Sequence, residues 1–501
     1  MSLLRQYLKK TPDDQQNSLC IAQLANLDVL MQHSPFVAKK ILQELQDQRS
    51  SLKLIASENY SSLAVQLSMG NWLTDKYSEG YPHHRFYAGC ENIDEIEDYA
   101  AGLLKKIFNA DHAYVQPHSG ADANMLAFWS ILVQRVENKE LERLAAKNVD
   151  SLSEEEYERI RNLMNQQKVL GMSLSSGGHL SHGYRHNFSS KMMRARQYHV
   201  NPESGLLDYD KLADQIQNEK PDILLSGYSA YPRKINFAKM REMADSVGAV
   251  LMVDMAHFSG LVAGKVLQDD YNPVPFADIV TSTTHKTLRG PRGGLILCSE
   301  KFRDTINKGC PLVLGGPLPH VIAAKAIAFE EAAKESFQSY AKKIVENAST
   351  LADELLKKGV ELLTGGTENH MILFKCQPFG LSGRQVEAAL RECGLTVNRN
   401  AIPFDELGPW YTSGIRIGTA ALTSLGMQAE EMKEIAALIY DVLTHCKANY
   451  KGEKKSLAKY TLEESCKERV KQRIADLLAK FPLYPELVLD TKNQSFAANT
   501  D

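Results

Sequence analysis

The sequence predicts an α/β protein, in which a large domain with a mostly parallel sheet covered by helices precedes a smaller C-terminal α/β domain. From about 52 to 318, short apolar runs typical of buried strands alternate with helical stretches, and this alternation predicts the parallel sheet. Polar residues follow the ends of these runs. Because open sheets of this kind bind ligands at the carboxyl ends of their strands, we expect the chemistry there. The strand-like runs lie at 223–225, 249–253, 279–280 and 294–297, and, after a long helical stretch at 320–359, at 371–374 and 414–417.

The remaining elements follow from local patterns. Val37, Ile41, Leu42 and Leu45 recur at helical spacing and predict the apolar face of an N-terminal helix. Charged residues crowd the segment from about 134 to 168, which predicts an exposed helical insertion. The predicted units are an N-terminal helical arm at 1–51, the large domain at 52–330, a C-terminal small domain at 331–490 and a flexible tail at 491–501.

The composition is that of an enzyme-sized protein without nucleic-acid or membrane partners. The chain has 501 residues, of which 44% are hydrophobic and 24% charged, and its formal net charge is only -3. No run approaches the roughly 20 apolar residues that span a bilayer. The 8 cysteines lack zinc-ligand spacing, so we predict no metal site and a reducing compartment. Asp13, Asp14 and the lack of an apolar N-terminal core argue against a targeting segment and favour a cytoplasmic location.

The strongest chemical signal lies between Asp278 and Gly294. A strand there runs into threonines, the pair His285 and Lys286, and a Gly-Pro-Arg-Gly-Gly turn. An isolated lysine is usually an ordinary solvated side chain. In this setting Lys286 is better interpreted as an amine that forms a Schiff base beside a bound phosphate.

A carboxylate for such a cofactor follows a neighbouring strand. Asp254 ends a very apolar run and precedes Lys286 by 286 − 254 = 32 residues, about one strand-helix-strand step. A buried aspartate without a partner is costly, so either a salt bridge in the core or a cationic ligand must accompany it. We favour the ligand, because an anionic Asp254 would keep a pyridine nitrogen protonated.

Three further segments predict parts of the same pocket. Ser119 and Gly120 precede an apolar helical run, which suits a phosphate at a helix N-terminus, although an ordinary serine cap would look the same. His179 and His182 lie in a glycine-rich loop. Without nearby cysteines or acids, His179 is better interpreted as a ring that stacks on the cofactor than as a metal ligand. Arg416, inside an apolar strand, suits a substrate carboxylate, with a buried structural ion pair as the alternative.

Taken together, these segments resemble the serine hydroxymethyltransferase family of fold-type I pyridoxal-phosphate transferases. The resemblance covers about 54 to 442 and implies that the chain transfers the hydroxymethyl carbon of serine to tetrahydrofolate, giving glycine and methylenetetrahydrofolate. It also implies pyridoxal 5'-phosphate as cofactor, tetrahydrofolate as co-substrate and a homodimer with shared active sites. The motifs appear in the family's order: Leu-Ile-Ala-Ser-Glu-Asn-Tyr from Leu54, Gln-Pro-His-Ser-Gly from Gln116, Val-Asp-Met-Ala-His from Val253, Thr-Thr-His-Lys-Thr-Leu from Thr283 and Thr-Ser-Gly-Ile-Arg from Thr412.

The resemblance also implies a role for individual residues. It makes Lys286, Glu79, His179 and Asp254 the catalytic residues, with Lys286 as the Schiff-base lysine and Glu79 as the acid-base carboxylate. Further cofactor contacts fall to Ser119, Gly120, His285, Ser229 and His257, and, from the neighbouring subunit, to Tyr77 and Gly316. Substrate contacts fall to Ser57 and Arg416 at the amino-acid carboxylate, to Tyr87 from the neighbouring subunit, and to Leu174, Gly178, Leu180 and Asn400 around the folate.

Several residues depart from the family pattern. Phe86 stands in place of a tyrosine, Ala121 in place of a serine, and the residues from Leu312 to Leu314 replace a glycine- and glutamine-rich turn. We expect these changes to weaken folate binding and to enlarge the share of folate-independent side reactions. The alternatives are an amino-acid racemase acting on alanine, a 3-hydroxy amino-acid aldolase, and an inactive cofactor-binding homologue.

Overall fold

The protein is described here by a computed structural model that covers residues 2–487. Its centre is a seven-stranded sheet in the order β1-β7-β6-β5-β4-β2-β3. Four strand pairings are parallel, and β7 runs antiparallel to β1 and β6. The predicted mostly parallel sheet is thus confirmed. The strands are His112–Tyr114 (β1), Lys168–Met172 (β2), Arg194–Tyr198 (β3), Ile223–Gly227 (β4), Val250–Asp254 (β5), Ile279–Thr283 (β6) and Gly294–Cys298 (β7).

Helices cover both faces of this sheet, because its central strands are apolar on both sides. Alternate residues of β5 illustrate this: Leu251 and Val253 belong to one buried cluster, whereas Val250 and Met252 belong to another on the opposite face. The longer helices of the described chain are Leu3–Lys10 (α1), Ser18–His33 (α2), Pro35–Ser50 (α3), Glu91–Phe108 (α4), Gly120–Leu132 (α5), Glu154–Gln166 (α6), Tyr209–Glu219 (α7), Phe237–Asp245 (α8), Pro319–Ala332 (α9), Glu335–Lys357 (α10), Gly383–Glu392 (α11), Ala429–His445 (α12) and Glu464–Lys480 (α13).

The C-terminal part has its own sheet and its own core. The sheet has the order β8-β10-β9 and is antiparallel. Leu52 and Leu54 lie in this core, because the strand Leu52–Lys53 pairs with Leu395–Thr396. The proposed division of the chain at 52 and 331 stays a prediction. The strands of this part are Met371–Lys375 (β8), Asn398–Asn400 (β9), Gly414–Gly418 (β10) and the hairpin Cys446–Lys451 (β11) with Lys454–Leu462 (β12).

Two details differ from the expected helices. The predicted helix is present as α3, but its expected apolar face is only partly buried: Leu42 is buried, whereas Val37 and Ile41 are each 46% exposed. Ala38 is the other buried residue of this helix. The predicted single helical stretch at 320–359 is divided into α9 and α10.

The charged segment between α5 and β2 folds into several short helices and the longer helix α6. Within α6, Ile160 is the buried residue. The expected tail at 491–501 lies outside the described residues. No helix within 2–487 has the length and apolar character needed to cross a membrane.

Candidate active site

The predicted site lies at the carboxyl ends of the parallel strands β4, β5 and β6. Asp254 is the last residue of β5 and pairs with Gly227, the last residue of β4. Gly227 has φ +114°, and a Cβ atom there would lie 2.0 Å from the carbonyl oxygen of Asp254. Only glycine therefore allows this close approach. Ser229, His257 and Lys286 follow these three strands directly.

Asp254 is buried and held by a network that keeps it ionised. Its Oδ2 accepts hydrogen bonds from Asn124 (2.8 Å) and His182 (3.3 Å), and its Oδ1 accepts one from the backbone of Ala256 (3.0 Å). Burial alone would raise the pKa of Asp254, but the hydrogen bond and charge of His182, together with His179 and Asn124, hold that pKa below its usual value. The site thus contains a fixed negative charge in a largely apolar setting.

Lys286 lies close enough to Asp254 and Arg416 to be affected by both charges. Burial lowers the pKa of Lys286 to about 8, Asp254 opposes this shift, and Arg416 and Arg292 add to it. The backbone of this lysine is fixed as well, since Asn59 donates a hydrogen bond to its carbonyl oxygen at 2.9 Å. A lysine with a lowered pKa carries more of its neutral, nucleophilic form near neutral pH.

Three histidines near this lysine, His179, His257 and His370, are uncharged at neutral pH. Burial lowers the pKa of His179 to about 4 and that of His370 to about 3, and it holds the pKa of His257 well below its usual value. His257 and His370 stack with their ring centroids 5.6 Å apart, and Nδ1 of His179 lies 2.8 Å from the hydroxyl of Ser181. Neutral rings of this kind suit contact with a flat aromatic group.

A polar cradle lies at the N-terminus of α5. Ser119 caps this helix by accepting a hydrogen bond from the backbone of Asp122 (3.2 Å), so the ordinary capping role is realised. A Cβ atom on Gly120 would lie 2.7 Å from Thr283 Cγ2, which keeps the helix end close to β6. Nδ1 of His285 is buried without a hydrogen-bond partner. Burial lowers the pKa of His285 to about 3, so its ring is neutral and available to an anionic group.

Arg416 is a partly buried cation, and residues 2–487 contain no carboxylate that pairs with it. It donates hydrogen bonds to Asn398 Oδ1 (3.1 Å) and to the backbone oxygen of Ser229 (2.5 Å). Burial lowers the pKa of Arg416 to about 10. Among residues 2–487, no carboxylate lies within 4.0 Å of its guanidinium, so the alternative of a structural ion pair is wrong for this part of the chain. A carboxylate ligand would supply the missing charge.

Glu79 belongs to a second cluster, which lies on a short hairpin. One guanidinium nitrogen of Arg85 donates hydrogen bonds to the carbonyl oxygens of Ser78 (2.9 Å) and Gly80 (3.0 Å). Arg85 therefore binds the backbone on both sides of Glu79. Arg85 also binds Asp94 (2.8 Å) and Glu97 (2.7 Å). The backbone around Glu79 is therefore rigid.

The side chains beside Glu79 are open to solvent in the single chain. The hydroxyl of Tyr87 donates to the Glu79 carboxylate at 3.2 Å, and the ring of Tyr87 meets that of Tyr77 edge to face. Tyr77 is 58% exposed and Phe86 is 70% exposed. Gly316 lies against the Tyr77 ring, and its carbonyl oxygen lies 3.1 Å from His118 Nε2. The cluster thus adjoins the loop before Ser119.

The residues predicted around the folate lie on two segments, the loop at 174–180 and the end of β9. Leu174 and Leu180 are exposed, whereas Gly178 is buried. A Cβ atom on Gly178 would lie 2.0 Å from the Met172 carbonyl oxygen, so a larger residue would not fit at this position. The backbone of Ser229 donates to the Gly177 carbonyl oxygen at 2.7 Å, and the Ser229 carbonyl oxygen accepts from Arg416, so Ser229 connects this loop to Arg416. Asn400 ends β9 beside the strand that carries Arg416. Ser57 lies in the segment that follows the strand at 52–53 and is partly buried.

Sequence reasoning missed several supporting residues. Asn124 and His182 bind Asp254, Asn398 binds Arg416, and Asn59 binds the Lys286 backbone. His182 was considered only as one of two histidines at possible metal spacing. The signal for Asn124 was its position 124 − 119 = 5 residues after Ser119, one turn into a helix that points at the site.

The described residues contain one group of side chains close enough together to hold a metal ion. Asp441, His445 and Cys466 place ligand atoms within 4.8 Å of one another. Arg469, however, binds both oxygens of the Asp441 carboxylate at 2.8 and 2.9 Å. This group lies in the C-terminal part, on α12 and α13, and contributes no residue to the site at Lys286.

The lowered pKa of Lys286 predicts a pH profile for cofactor uptake by the protein stripped of cofactor. Only the neutral amine attacks an aldehyde, so the uptake rate should rise about tenfold per pH unit below the pKa and level off near pH 8. Absorbance at each pH measures the rate, and Lys286→Gln is the control that forms no covalent complex. A rate that keeps climbing towards the ordinary lysine pKa of 10.5 would contradict the buried, perturbed amine.

Lys286 and Asp254 lie at the strand ends of the mostly parallel sheet, and Arg416, on β10 of the C-terminal sheet, is close enough to influence Lys286. This arrangement is typical of a fold-type I pyridoxal-phosphate transferase. Comparison with known proteins gives the same class. The family described as serine hydroxymethyltransferase matches residues 30–143 and 146–439. The chain belongs to the serine hydroxymethyltransferase family.

Curated relatives with that name match nearly the whole chain. The protein from Treponema pallidum is 55% identical over 489 residues, which cover 97% of this chain and 85% of the relative. The protein from Mycolicibacterium smegmatis is 53% identical over 95% of this chain and 96% of the relative. The protein from Chlamydia trachomatis serovar D is 52% identical over 98% of this chain and 99% of the relative. The predicted family and fold class are therefore confirmed.

Proposed function

We propose that this chain transfers the hydroxymethyl carbon of serine reversibly to tetrahydrofolate, giving glycine and methylenetetrahydrofolate, with pyridoxal phosphate held by Lys286. The observation that carries the proposal is the guanidinium of Arg416, which lies near Lys286 and has no carboxylate partner within residues 2–487. Such an arrangement suits an α-amino acid, because the amine-reactive group and the carboxylate partner lie in one pocket.

The residues of the pocket fit the cofactor in three ways. The ionised Asp254 suits a protonated pyridine nitrogen, the partnerless Nδ1 of His285 and the helix N-terminus at Gly120 suit a phosphate, and the neutral ring of His179 suits a flat aromatic face. When bound, pyridoxal phosphate supplies an electron sink for negative charge that develops at the α-carbon of the amino acid.

The chain's own residues then have distinct tasks. Arg416 and Ser57 bind and orient the substrate carboxylate, so that the bond to be broken is held in one direction. Glu79 accepts the proton of the serine hydroxyl and returns it in the reverse reaction. The hydroxyl of Tyr87 donates a hydrogen bond to the Glu79 carboxylate and orients it. Lys286 supplies the neutral amine that takes up and releases the cofactor. Leu174, Gly178, Leu180 and Asn400 contact the folate.

We also propose a homodimer with shared sites, in the cytoplasm. Tyr77, Tyr87 and Gly316, together with Glu79, which Tyr87 binds within the same chain, would then complete the site of the neighbouring subunit. The exposed rings of Tyr77 and Tyr87, 58% and 46% accessible in the single chain, support this arrangement, because tyrosine is enriched at protein interfaces.

The racemase, aldolase and inactive-homologue alternatives have less support. The relatives named above share one family name, and the presence of Lys286, Asp254 and Arg416 in one pocket argues against an inactive protein. The decisive assay measures glycine formed from serine with and without tetrahydrofolate. Strong dependence on tetrahydrofolate supports the proposal, whereas D-alanine formation from L-alanine as the main activity would replace it with the racemase.

Phe86 gives a smaller test within the same assay. Its backbone binds the carbonyl oxygen of Glu79 at 3.0 Å, so its side chain starts beside the proposed acid-base group. Phe86→Tyr should restore one hydroxyl contact and tighten tetrahydrofolate binding by a few-fold to about tenfold. It should also lower D-alanine formation relative to the folate-dependent rate. If the Michaelis constant for tetrahydrofolate is the same in Phe86→Tyr as in the wild type, Phe86 does not influence folate affinity.

A further inference from the structure

A second buried lysine lies directly behind the proposed phosphate cradle. Lys325, on α9, is 1% exposed. Its amine donates to three backbone carbonyl oxygens, those of Val115 (2.6 Å), Pro117 (3.0 Å) and Gly294 (2.9 Å). A side chain of this length and charge is rarely buried without a specific set of partners.

The three acceptors match the charged form of this lysine. An ammonium group carries three N–H donors, one for each carbonyl, whereas a neutral amine has two donors and a lone pair that would face an oxygen. Burial lowers the pKa of Lys325 to about 7, and the charges of Glu97 and Asp122 oppose that shift. The three carbonyl dipoles favour the proton further, because each points its negative end at the nitrogen.

The three carbonyls join two separate segments of the cradle. Val115 and Pro117 belong to the loop that leads into Ser119, and Gly294 begins β7 after the turn that follows Lys286. The same two segments bind each other directly, since the backbone of Gly294 donates to the Pro117 oxygen at 2.9 Å. A Cβ atom on Gly294 would lie 2.2 Å from the Ser119 carbonyl, so the strand start touches the loop closely. Lys325 therefore fixes the distance between them.

We propose that Lys325 is a positioning residue for the phosphate of the cofactor: it locks the loop at 115–119 onto Gly294 and places a buried positive charge behind the cradle. This inference rests on the proposed function, in which the phosphate binds at Ser119 and Gly120. Lys325 does not touch the cofactor in this arrangement and acts through the loop that does.

The test compares two forms of the cofactor. The protein stripped of cofactor is titrated with pyridoxal phosphate and with pyridoxal, which lacks the phosphate, in the wild type and in Lys325→Met. Loss of the charged lysine should raise the dissociation constant of pyridoxal phosphate about tenfold or more, while that of pyridoxal changes by less than about twofold. Lys265→Met is the matched control, because Lys265 also donates to a backbone carbonyl, that of Ile107 at 2.8 Å, but lies away from the cradle.

Each outcome has one meaning. An equal loss for both cofactor forms in Lys325→Met, or no loss at all, overturns the inference, because a merely structural lysine would not select for the phosphate. A wild type that binds pyridoxal as tightly as pyridoxal phosphate contradicts the proposed cradle itself, before Lys325 is considered. If Lys325→Met does not fold, Lys325→Gln, which keeps two of the three N–H donors, is titrated in its place and read in the same way.

Discussion

Arg416→Leu should lower kcat/KM for serine by roughly 10²–10³-fold. The guanidinium is partly buried and has no carboxylate partner among the described residues, so a substrate carboxylate is the group that would lose its counterion. Truncating one member of a buried, hydrogen-bonded charge pair costs about 2–5 kcal/mol, or about 30-fold to several thousand-fold, and the expected loss lies in the middle of this range. Most of the loss should appear as a higher KM, because the contact is made to the ground state as well as to the transition state.

Two further variants make this result specific. Arg416→Lys keeps the charge but not the planar fork, and should recover only part of the loss. Arg399→Leu is the matched control, since Arg399 lies on the adjacent strand β9 and pairs with Glu387 at 2.8 Å. If Arg399→Leu lowers kcat/KM as much as Arg416→Leu does, the effect comes from the strand and not from a carboxylate clamp.

The sheet was predictable where burial dominates the sequence. Strands β4, β5 and β7 are short apolar runs, and such runs are recognisable without tertiary information. Strands β1, β2 and β3 were not predicted, although β2 is almost entirely buried. Strand β3, Arg194–Tyr198, forms an edge of the sheet and alternates exposed and partly buried residues, so it has no apolar run to recognise. The antiparallel direction of β7 was not predicted either, because an apolar run indicates burial and not orientation.

The site was predictable where several chemical residues stand in one motif. Asp254 ends an apolar strand, Arg416 interrupts one, and Lys286 follows the end of β6 by three residues within a distinctive motif, so each charge is conspicuous in the sequence. Lys325 was missed because it lies among alanines in an ordinary helical pattern, and its partner Pro117 is 208 residues away in the chain. Local patterns contain no information about such a contact, which exists only once α9 packs against the loop before Ser119.

The Glu79 hairpin lies between these two cases. The polar and aromatic residues around Glu79 predicted a substrate pocket, but the sequence did not indicate how the carboxylate is held. Arg85 provides that support, with hydrogen bonds to the carbonyls on either side and to Asp94 and Glu97. Gln116 extends the network by donating to Glu97 at 2.8 Å and to the Gly80 carbonyl at 2.8 Å. The proposed acid-base group is thus braced against the loop that leads to the phosphate cradle.

Glu79→Gln should lower the turnover of serine by about 10²–10⁴-fold, which is the usual contribution of general acid-base catalysis. Glutamine keeps the size of the side chain and can still accept the hydrogen bond from Tyr87, but it cannot accept the proton of the serine hydroxyl. The absorbance of the bound cofactor should therefore be unchanged, and only the rate should fall. Asp98→Asn is the matched control, because Asp98 is an exposed carboxylate that binds His83 of the same hairpin region at 2.8 Å. Serine turnover measured beside the cofactor spectrum separates the outcomes: a rate in Glu79→Gln equal to that of Asp98→Asn would remove Glu79 from the proton transfer.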